Sequence, residues 1–198
     1  MMEVYSLNFD DVWFSVACDS EQIVASSFGS TQQSAIDKIL EMIPFDVPFQ
    51  VFHEPSLFAR SALANLKSLY DAKKINLDFS LALSKLPAYT QKVLKATLQV
   101  PLGYVTTYGA LAKAVGGGPR AVGNIMASNP FAPIVPCHRV VRANFKIGGY
   151  GLGGFRVKAE LLSREKQGFS EPKEIMVNGR GLEVFPVECV LKSLDILF

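Results

Sequence analysis

The sequence predicts an α/β (α+β) protein in which a small N-terminal sheet domain is followed by a helical domain with a helix-turn-helix. Short alternating or aromatic stretches, bounded by Asp, Ser, Gly and Pro, fill the first 55 residues, as is typical of strands. Apolar residues then recur at helical spacing, and the charge balance changes sign. We expect an N-terminal α/β domain over residues 1–80, a second domain over 84–168 and an extension over 169–198.

Local signals predict the elements of the first domain. The stretches VWFSVAC, QIVASSF and PFQVFHE predict the strands of a small sheet. Apolar spacing predicts one helix over residues 34–42 and a second over 57–70. Because the charge changes sign after the second helix, we place the domain boundary between residues 72 and 85.

The second domain starts with a predicted helix over residues 88–100, and a helix-turn-helix follows. Thr106 or Thr107 can cap its first helix, and the glycines at 116–118 can end it. Pro119 then suits the first position of the next helix. The predicted seam between the two helices consists of Leu111, Val115, Val122, Ile125 and Met126. An ordinary helical hairpin would show the same pattern.

Small residues dominate the second helix of this pair. Ala121, Gly123 and Ala127 would allow its backbone to approach a narrow groove closely. Only Arg120 and Asn124 could read base edges. The helix therefore favours binding with little sequence preference and disfavours a transcription factor.

The net charge of +2 conceals a strong asymmetry along the chain. Residues 1–83 carry 5 Lys/Arg and 11 Asp/Glu, residues 84–168 carry 12 and 2, and residues 169–198 carry 3 and 5. A segment at +10 is typical of a domain that binds a polyanion such as nucleic acid. A solvated basic face is the alternative.

Composition excludes several other classes of protein. No apolar run approaches the ~18 residues of a membrane helix, and the acidic, aromatic N-terminus does not resemble a signal peptide. Cys18, Cys137 and Cys189 are too few and too far apart for a disulfide framework or a zinc site. We expect a cytoplasmic protein, or a nuclear one in a eukaryote, without a metal.

The segment IVPCHRVV carries the clearest chemical signal, because Cys137 precedes two potential cations, His138 and Arg139. Positive charge lowers the pKa of a cysteine and so activates it as a nucleophile. A buried, inert cysteine is the alternative. Neighbouring residues of a strand point to opposite faces, so a Cys–His contact would need a turn or a bridging water.

A carboxylate on the following helix, predicted over residues 155–166, suggests a partner for this segment. Val157, Leu161 and Glu165 share one helical face, and a carboxylate on an apolar stripe needs a partner. A solvated Glu at a frayed helix end is the alternative. The preceding GYGLGG fits a dinucleotide-binding pattern only formally, because no βαβ pattern surrounds it. The tail, with IMVNGRGLEVF, predicts a hairpin and then a short helix or strand.

The stretch VPCHRVV, preceded by SNP and GPRAVGNIM and followed by a glycine-rich loop, resembles the O6-alkylguanine-DNA alkyltransferase family from about residue 86 to 168. The resemblance implies a winged-helix-like second domain. It also implies a monomer that repairs double-stranded DNA carrying O6-alkylguanine by moving the alkyl group irreversibly onto its own Cys137, without a cofactor.

The resemblance also implies roles for individual residues. His138 would be the base, acting through a water; Glu165 would orient it, and Asn129 would brace the turn before Cys137. Tyr108 would donate a proton to guanine N3, and Arg120 would fill the gap that the flipped nucleotide leaves. The implied DNA contacts are Arg120, Ala121, Gly123, Asn124 and Ala127, and the implied substrate pocket contains Tyr108, Val140, Tyr150 and Gly151.

The sequence departs from the family pattern at two places. Many relatives have serine at the position of Gly151, and NPFAPIVPC differs from the commoner NPxPxxxPC. Pocket width and the preferred alkyl group therefore stay open. Two other functions are also open: a DNA-binding regulator whose cysteine senses alkylation, and a cysteine hydrolase.

Overall fold

The computed structural model describes residues 1–194, which form two compact units. The first unit consists of Met1–Leu86 and Pro130–Ile134, and the second consists of Pro87–Asn129 and the chain from Val135 onward. Within the described range, no helix is both long and apolar enough to cross a membrane.

The predicted domains differ from these units in two respects. Pro130–Ile134, expected in the second domain, belongs to the first unit, because Phe131 forms a β-bridge with Ser26. The Ser26 hydroxyl also donates to the carbonyl of Ala132, at 3.0 Å. Residues 169–194, expected as an extension, belong to the second unit.

A five-stranded sheet with the order β4-β1-β2-β3-β5 forms the framework of the first unit. Its strands are β1 (Met2–Phe9), β2 (Val12–Asp19), β3 (Gln22–Gly29), β4 (Phe49–Phe52) and β5 (Ser80–Leu81). The first three strands form an antiparallel meander, and β4 and β5 add to its edges in parallel. Asp10 and Asp11 both have positive φ, which suits the tight turn between β1 and β2.

Two helices pack against this sheet, α1 (Gln32–Leu40) and α2 (Leu57–Tyr70). The bounds of α2 match the prediction, since Ser56 caps its first turn. By contrast, α1 starts and ends two residues earlier than predicted. Thr31 caps it in a reciprocal capping box with Ser34, which therefore lies within the first turn.

The second unit contains both helices and a four-stranded sheet, whose strand order is β7-β6-β9-β8. Its strands are β6 (Tyr104–Thr107), β7 (Val140–Val141), β8 (Lys173–Val177) and β9 (Arg180–Pro186). Its helices are α3 (Ala88–Leu98), α4 (Tyr108–Val115), α5 (Pro119–Ala127), α6 (Gly154–Arg164) and α7 (Glu188–Leu194). The predicted helical domain thus also contains a sheet. Strands β6 and β7 of this sheet are too short to show the alternation of apolar and polar residues that predicts a strand.

Helices α4 and α5 form the predicted helix-turn-helix. The Thr107 side chain caps α4 by accepting a hydrogen bond from the Ala110 backbone, at 3.0 Å. Gly116 ends α4 with a φ of +80°, a conformation that favours glycine, and Pro119 is the first residue of α5. Most of the predicted seam is buried, namely Leu111, Val115, Val122 and Met126.

The hairpin predicted in the tail is present as β8 and β9, and α7 follows it. Strand β9 pairs with β6, so that Phe185 lies opposite Val105. Val187 and Val190 are fully buried in the core cluster that contains Val105. This segment therefore completes the second unit. Residues 195–198 of the predicted extension lie outside the described residues.

Candidate active site

Cys137 begins a single turn of 3₁₀ helix, Cys137–Arg139, directly before β7. Because Cys137 and His138 lie in a turn and not in a strand, their side chains need not point to opposite faces. The Cys137 backbone donates to the carbonyl of Val135, at 2.8 Å, and the Asn129 side chain donates to the same carbonyl, at 3.0 Å. Asn129 thus contacts the start of the turn, as the resemblance implied.

His138 and Arg139 both contact Glu165, which is the residue that ends α6. His138 Nε2 lies 2.8 Å from Glu165 Oε1, while Arg139 donates from Nε and Nη2 at 2.9 to 3.0 Å. Glu165 is only 1% exposed. The alternative of a solvated Glu at a frayed helix end is therefore wrong, and the predicted pairing of Glu165 with His138 is present in the structure.

Burial and charge act in opposite directions on the pKa values of Glu165 and His138. Burial on its own would raise the pKa of the Glu165 carboxyl, but the contacts with His138 and Arg139 lower it to about 2. Burial lowers the pKa of His138, so the imidazole is neutral near pH 7. Its Nε2 then carries the proton and donates to Glu165, which leaves Nδ1 as a lone-pair acceptor.

His138 Nδ1 is buried, and no described residue provides it with a hydrogen-bond partner. It lies in the same 3₁₀ turn as Cys137. An unprotonated, oriented imidazole nitrogen beside a thiol can accept the proton of that thiol, directly or through a water.

The structure corrects the prediction that His138 and Arg139 lower the pKa of Cys137. Cys137 is 4% exposed, and burial raises the pKa of its thiol. Contacts with Asn129 and with the charge of Lys158 oppose this effect without reversing it. Arg139 does not supply the cation, because Glu165 and the carbonyl of Val100 take up its guanidinium.

Lys158 is the residue that the sequence analysis missed. It is fully buried in α6, and its Nζ donates to the carbonyls of Val140, at 2.6 Å, and Gly149, at 3.3 Å. Burial lowers the pKa of Lys158 to about 8, although the charge of Cys137 opposes this shift. A lysine within an apolar helical face, at the position after Val157, was the signal that could have indicated it.

A cavity of about 330 Å³ lies beside Cys137. Its wall consists of Tyr108, Gly123, Met126, Ala127, Cys137, Gly149, Tyr150 and Gly151. Three of the four residues predicted for the substrate pocket thus line this cavity, namely Tyr108, Tyr150 and Gly151. Val140 does not, because it lies fully buried in β7, where its carbonyl accepts the hydrogen bond from Lys158.

Tyr108 is the first residue of α4 and connects the cavity with Lys158, whose Nζ lies 5.9 Å from the centre of the tyrosine ring. Burial raises the pKa of Tyr108, the charge of Cys137 raises it further, and Arg142 opposes both effects. The phenol therefore keeps its proton at neutral pH and can act as a hydrogen-bond or proton donor.

A comparison with known families matches residues 88–167 to the family model described as 6-O-methylguanine DNA methyltransferase, DNA binding domain. The matched range contains the helix-turn-helix, the turn at Cys137 and the buried Glu165. Residues 88–167 are therefore similar to the DNA-binding domain of this family. Within this range the structure brings together Cys137, His138 and Glu165, from positions up to 28 residues apart.

Curated relatives and solved structures extend the comparison. A methylated-DNA–protein-cysteine methyltransferase of Pyrobaculum aerophilum is 51% identical over 74 residues, which is 37% of this chain and 49% of the relative. The crystal structure of the O6-methylguanine-DNA methyltransferase of Pyrococcus kodakaraensis matches with a TM-score of 0.66 and 28% identity, over 83% of this chain and 99% of that one. The Mycobacterium tuberculosis OGT in complex with DNA matches with a TM-score of 0.64 and 28% identity, over 83% of this chain and 92% of that one. The chain thus spans about half the length of the curated relative.

Helix α5 presents small and polar residues on its exposed side. Arg120, Ala121, Asn124 and Ala127 are exposed, and Gly123 is half-buried at the cavity wall. The residues that the sequence predicted as DNA contacts therefore lie on one short helix, next to the cavity. Among residues 1–194, no group of three His, Cys, Asp or Glu side chains could hold a metal ion.

Proposed function

We propose that this protein repairs DNA directly, by transferring an alkyl group from O6-alkylguanine to Cys137. The observation that carries the proposal is the buried pair of His138 and Glu165, which leaves His138 Nδ1 as a proton acceptor in the same turn as a buried cysteine. The family match supports the choice of substrate, since the relatives are named for methylated DNA.

The first step is the activation of Cys137. Because burial raises the pKa of this thiol, the free protein holds it as the neutral form. His138 accepts the thiol proton at Nδ1, through a bridging water, and Glu165 stabilises the imidazolium that forms. Lys158 favours the thiolate through its charge, and Asn129 holds the turn in place.

The second step is a displacement at carbon. The Cys137 thiolate attacks the alkyl carbon, the new S–C bond forms, the C–O6 bond breaks, and its electron pair passes to guanine O6. Tyr108 donates its proton to guanine N3, so that the purine leaves as a neutral base, and the phenol is reprotonated from the solvent. The product is a thioether, which has no leaving group for hydrolysis, so one protein molecule repairs one lesion.

The substrate is double-stranded DNA, bound by the protein as a monomer. A guanine O6 within a stacked duplex is out of reach of a buried cysteine, so the nucleotide must be flipped into the cavity. The small residues of α5 allow close approach to the groove, and Arg120, exposed at its N-terminus, fills the space in the stack. The charge of residues 84–168, with 12 Lys/Arg and 2 Asp/Glu, supports contact with phosphates. Cytoplasm or nucleus is the expected location.

Intact mass after incubation with a short duplex that contains one O6-methylguanine tests this proposal. We expect one added methyl group per wild-type molecule and none on the Cys137→Ser variant. A Cys189→Ser variant is the matched control and should gain the methyl group like the wild type. Binding of the duplex without a mass gain would contradict transfer and favour a lesion-binding regulator. Repeated turnover without a mass gain would favour a cysteine hydrolase.

A further inference from the structure

We infer that Arg142 binds a backbone phosphate of the flipped nucleotide at the mouth of the cavity, and so holds the lesion in place for transfer. This inference rests on the proposed function, and it adds a substrate-binding residue outside the predicted DNA contacts. Arg142 directly follows β7 and is exposed. It binds the substrate and takes no part in the making or breaking of bonds.

A tight turn over residues 142–146 holds the backbone of Arg142 in position. The backbone N–H of Arg142 donates to the carbonyl of Lys146, at 3.0 Å, and that of Phe145 donates to the carbonyl of Arg142, also at 3.0 Å. Phe145 packs against a buried core cluster of the second unit, where its ring centre lies 5.0 Å from that of Phe185. The turn is therefore anchored in the core, while the Arg142 side chain extends from an exposed position.

Arg142 lies beside the hydroxyl of Tyr108, with Gly148 between them. A Cβ built at Gly148 would lie 3.6 Å from the Tyr108 hydroxyl and 3.8 Å from Cγ of Arg142. The φ of Gly148 is +73°, a conformation that favours glycine, so the loop keeps both side chains close to its backbone. The charge of Arg142 also opposes the rise in the pKa of Tyr108, which agrees with this proximity. An exposed cation is thus placed next to the phenol that lines the cavity.

The proposed role of Tyr108 determines which part of the substrate faces Arg142. Guanine N3 lies on the sugar edge of the base, one ring atom away from N9, which carries the deoxyribose. A phenol that donates to N3 is therefore close to the sugar of the flipped nucleotide. Because the base enters the cavity and the backbone stays at its mouth, the guanidinium of Arg142 faces the phosphates attached to that sugar.

The charge of Arg142 is not used within the protein. Among residues 1–194, no carboxylate forms an ion pair with it. By contrast, Arg139 pairs with Glu165, and Lys158 is fully buried and donates to two backbone carbonyls. A guanidinium can donate two parallel hydrogen bonds to one phosphate, so that an arginine at this place both attracts and orients the nucleotide.

Equilibrium binding tests the contact. The full-length protein carries Cys137→Ser to prevent transfer, and its affinity for a short duplex with one O6-methylguanine is measured at several salt concentrations. We expect Arg142→Gln to weaken binding by about tenfold and to reduce the salt dependence of log K by about one contact. Arg142→Lys keeps the charge without the paired donors and should recover part of the affinity. Lys146→Gln removes the same charge from the other end of the same turn, and as the matched control it should have a clearly smaller effect.

Methyl transfer separates a phosphate contact from an effect on Tyr108. With Cys137 restored, intact mass gives the rates of transfer from the duplex and from free O6-methyl-2′-deoxyguanosine, which has no phosphate. We expect Arg142→Gln to slow transfer from the duplex at subsaturating concentrations and to leave transfer from the nucleoside unchanged. Equal slowing with both substrates would assign the effect to the proton of Tyr108 and overturn the inference.

The binding experiment can also overturn the inference. An unchanged affinity in Arg142→Gln, or an equal loss in Arg142→Gln and Lys146→Gln, would do so and would leave the proposed function intact if the wild type still gains its methyl group. A wild type that gains no methyl group from either substrate would instead contradict the proposed function. Circular dichroism should show each variant folded.

Discussion

At the scale of single residues, the side chains of His138 and Arg139 share one buried carboxylate, that of Glu165. Glu165 accepts from His138 Nε2 and pairs with the Arg139 guanidinium, and all three residues are buried. A buried ion pair adds little net stability, but the removal of one partner leaves an uncompensated buried charge. Glu165 therefore links the stability of the second unit to the proton acceptor at His138.

Replacement of Glu165 by Gln tests this link. We expect the free energy of unfolding to fall by about 3 kcal/mol, because Arg139 stays buried without a counter-charge. Transfer should slow by about 10²-fold or more, because an imidazolium is no longer stabilised. Urea denaturation and single-turnover transfer, measured where the variant is still folded, provide both values. Glu160→Gln, at an exposed position of α6, should change neither; a slow but stable Glu160→Gln variant would contradict the assignment.

The pH dependence of the reactivity of Cys137 tests whether the charge of Lys158 lowers the pKa of its thiol. Below a pH of about 8, Lys158 is charged and favours the thiolate, so its removal should raise the pKa of Cys137 further. We expect Lys158→Met to move the half-maximal rate of iodoacetamide labelling at Cys137 upward by about one pH unit. Peptide mass mapping gives the site. Lys166→Met, an exposed lysine just after the same helix, should leave the profile in place, and coincident profiles for both variants would rule out the Lys158 effect.

At the scale of elements, short stretches of chain position the groups that we propose to react. Tyr108 is the first residue of α4, and the cap at Thr107 determines where this helix begins. The glycine-rich loop before α6 forms part of the cavity wall. Helix α6 contains Lys158, and Glu165 follows its last residue directly. Local capping chemistry therefore determines the placement of the proposed proton donor.

The Thr107→Ala variant tests the role of this cap. We expect a loss of about 1 kcal/mol in the free energy of unfolding, because the Ala110 backbone N–H loses its acceptor. Fraying of the first turn should also slow transfer modestly, since Tyr108 lies in that turn. Thr107→Ser keeps the hydroxyl and should restore both stability and rate. If Ser and Ala variants behave alike, the hydroxyl does not act as the cap.

At the scale of the whole molecule, each unit is built from distant parts of the chain. The first unit includes Pro130–Ile134, and the second includes the C-terminal hairpin, whose strand β9 pairs with β6. Leu182 and Val184 in β9 are fully buried. The tail that had no assigned role is thus part of the core that supports β6, the strand leading to Tyr108.

The Leu182→Ala variant tests this assignment. We expect a loss of about 2–5 kcal/mol, the usual effect of a cavity at a buried leucine, and faster amide exchange in β6 as well as β9. Hydrogen exchange is the suitable measurement, because Trp13 lies in the first unit and its fluorescence would report on that unit. Met176→Ala, 64% exposed on the same hairpin, should change stability by no more than about 0.5 kcal/mol. Exchange confined to β9 in Leu182→Ala would show that the hairpin does not support β6.

The sequence by itself determined the features that depend on neighbours in the chain. Caps and apolar spacing predicted α2 and the helix-turn-helix. The family resemblance around PCHRV implied that Cys137, His138 and Glu165 act as one group, and the apolar helical face of Glu165 indicated that this carboxylate needs a partner. Tertiary structure decided the properties that depend on packing. Burial raised the pKa of Cys137 against the expectation from its charged neighbours, because desolvation depends on every atom that covers the sulfur. Lys158 joined the site, and the tail joined the core, through contacts between residues far apart in the chain. A lysine within an apolar helical face indicates burial, but no local pattern gives its partners.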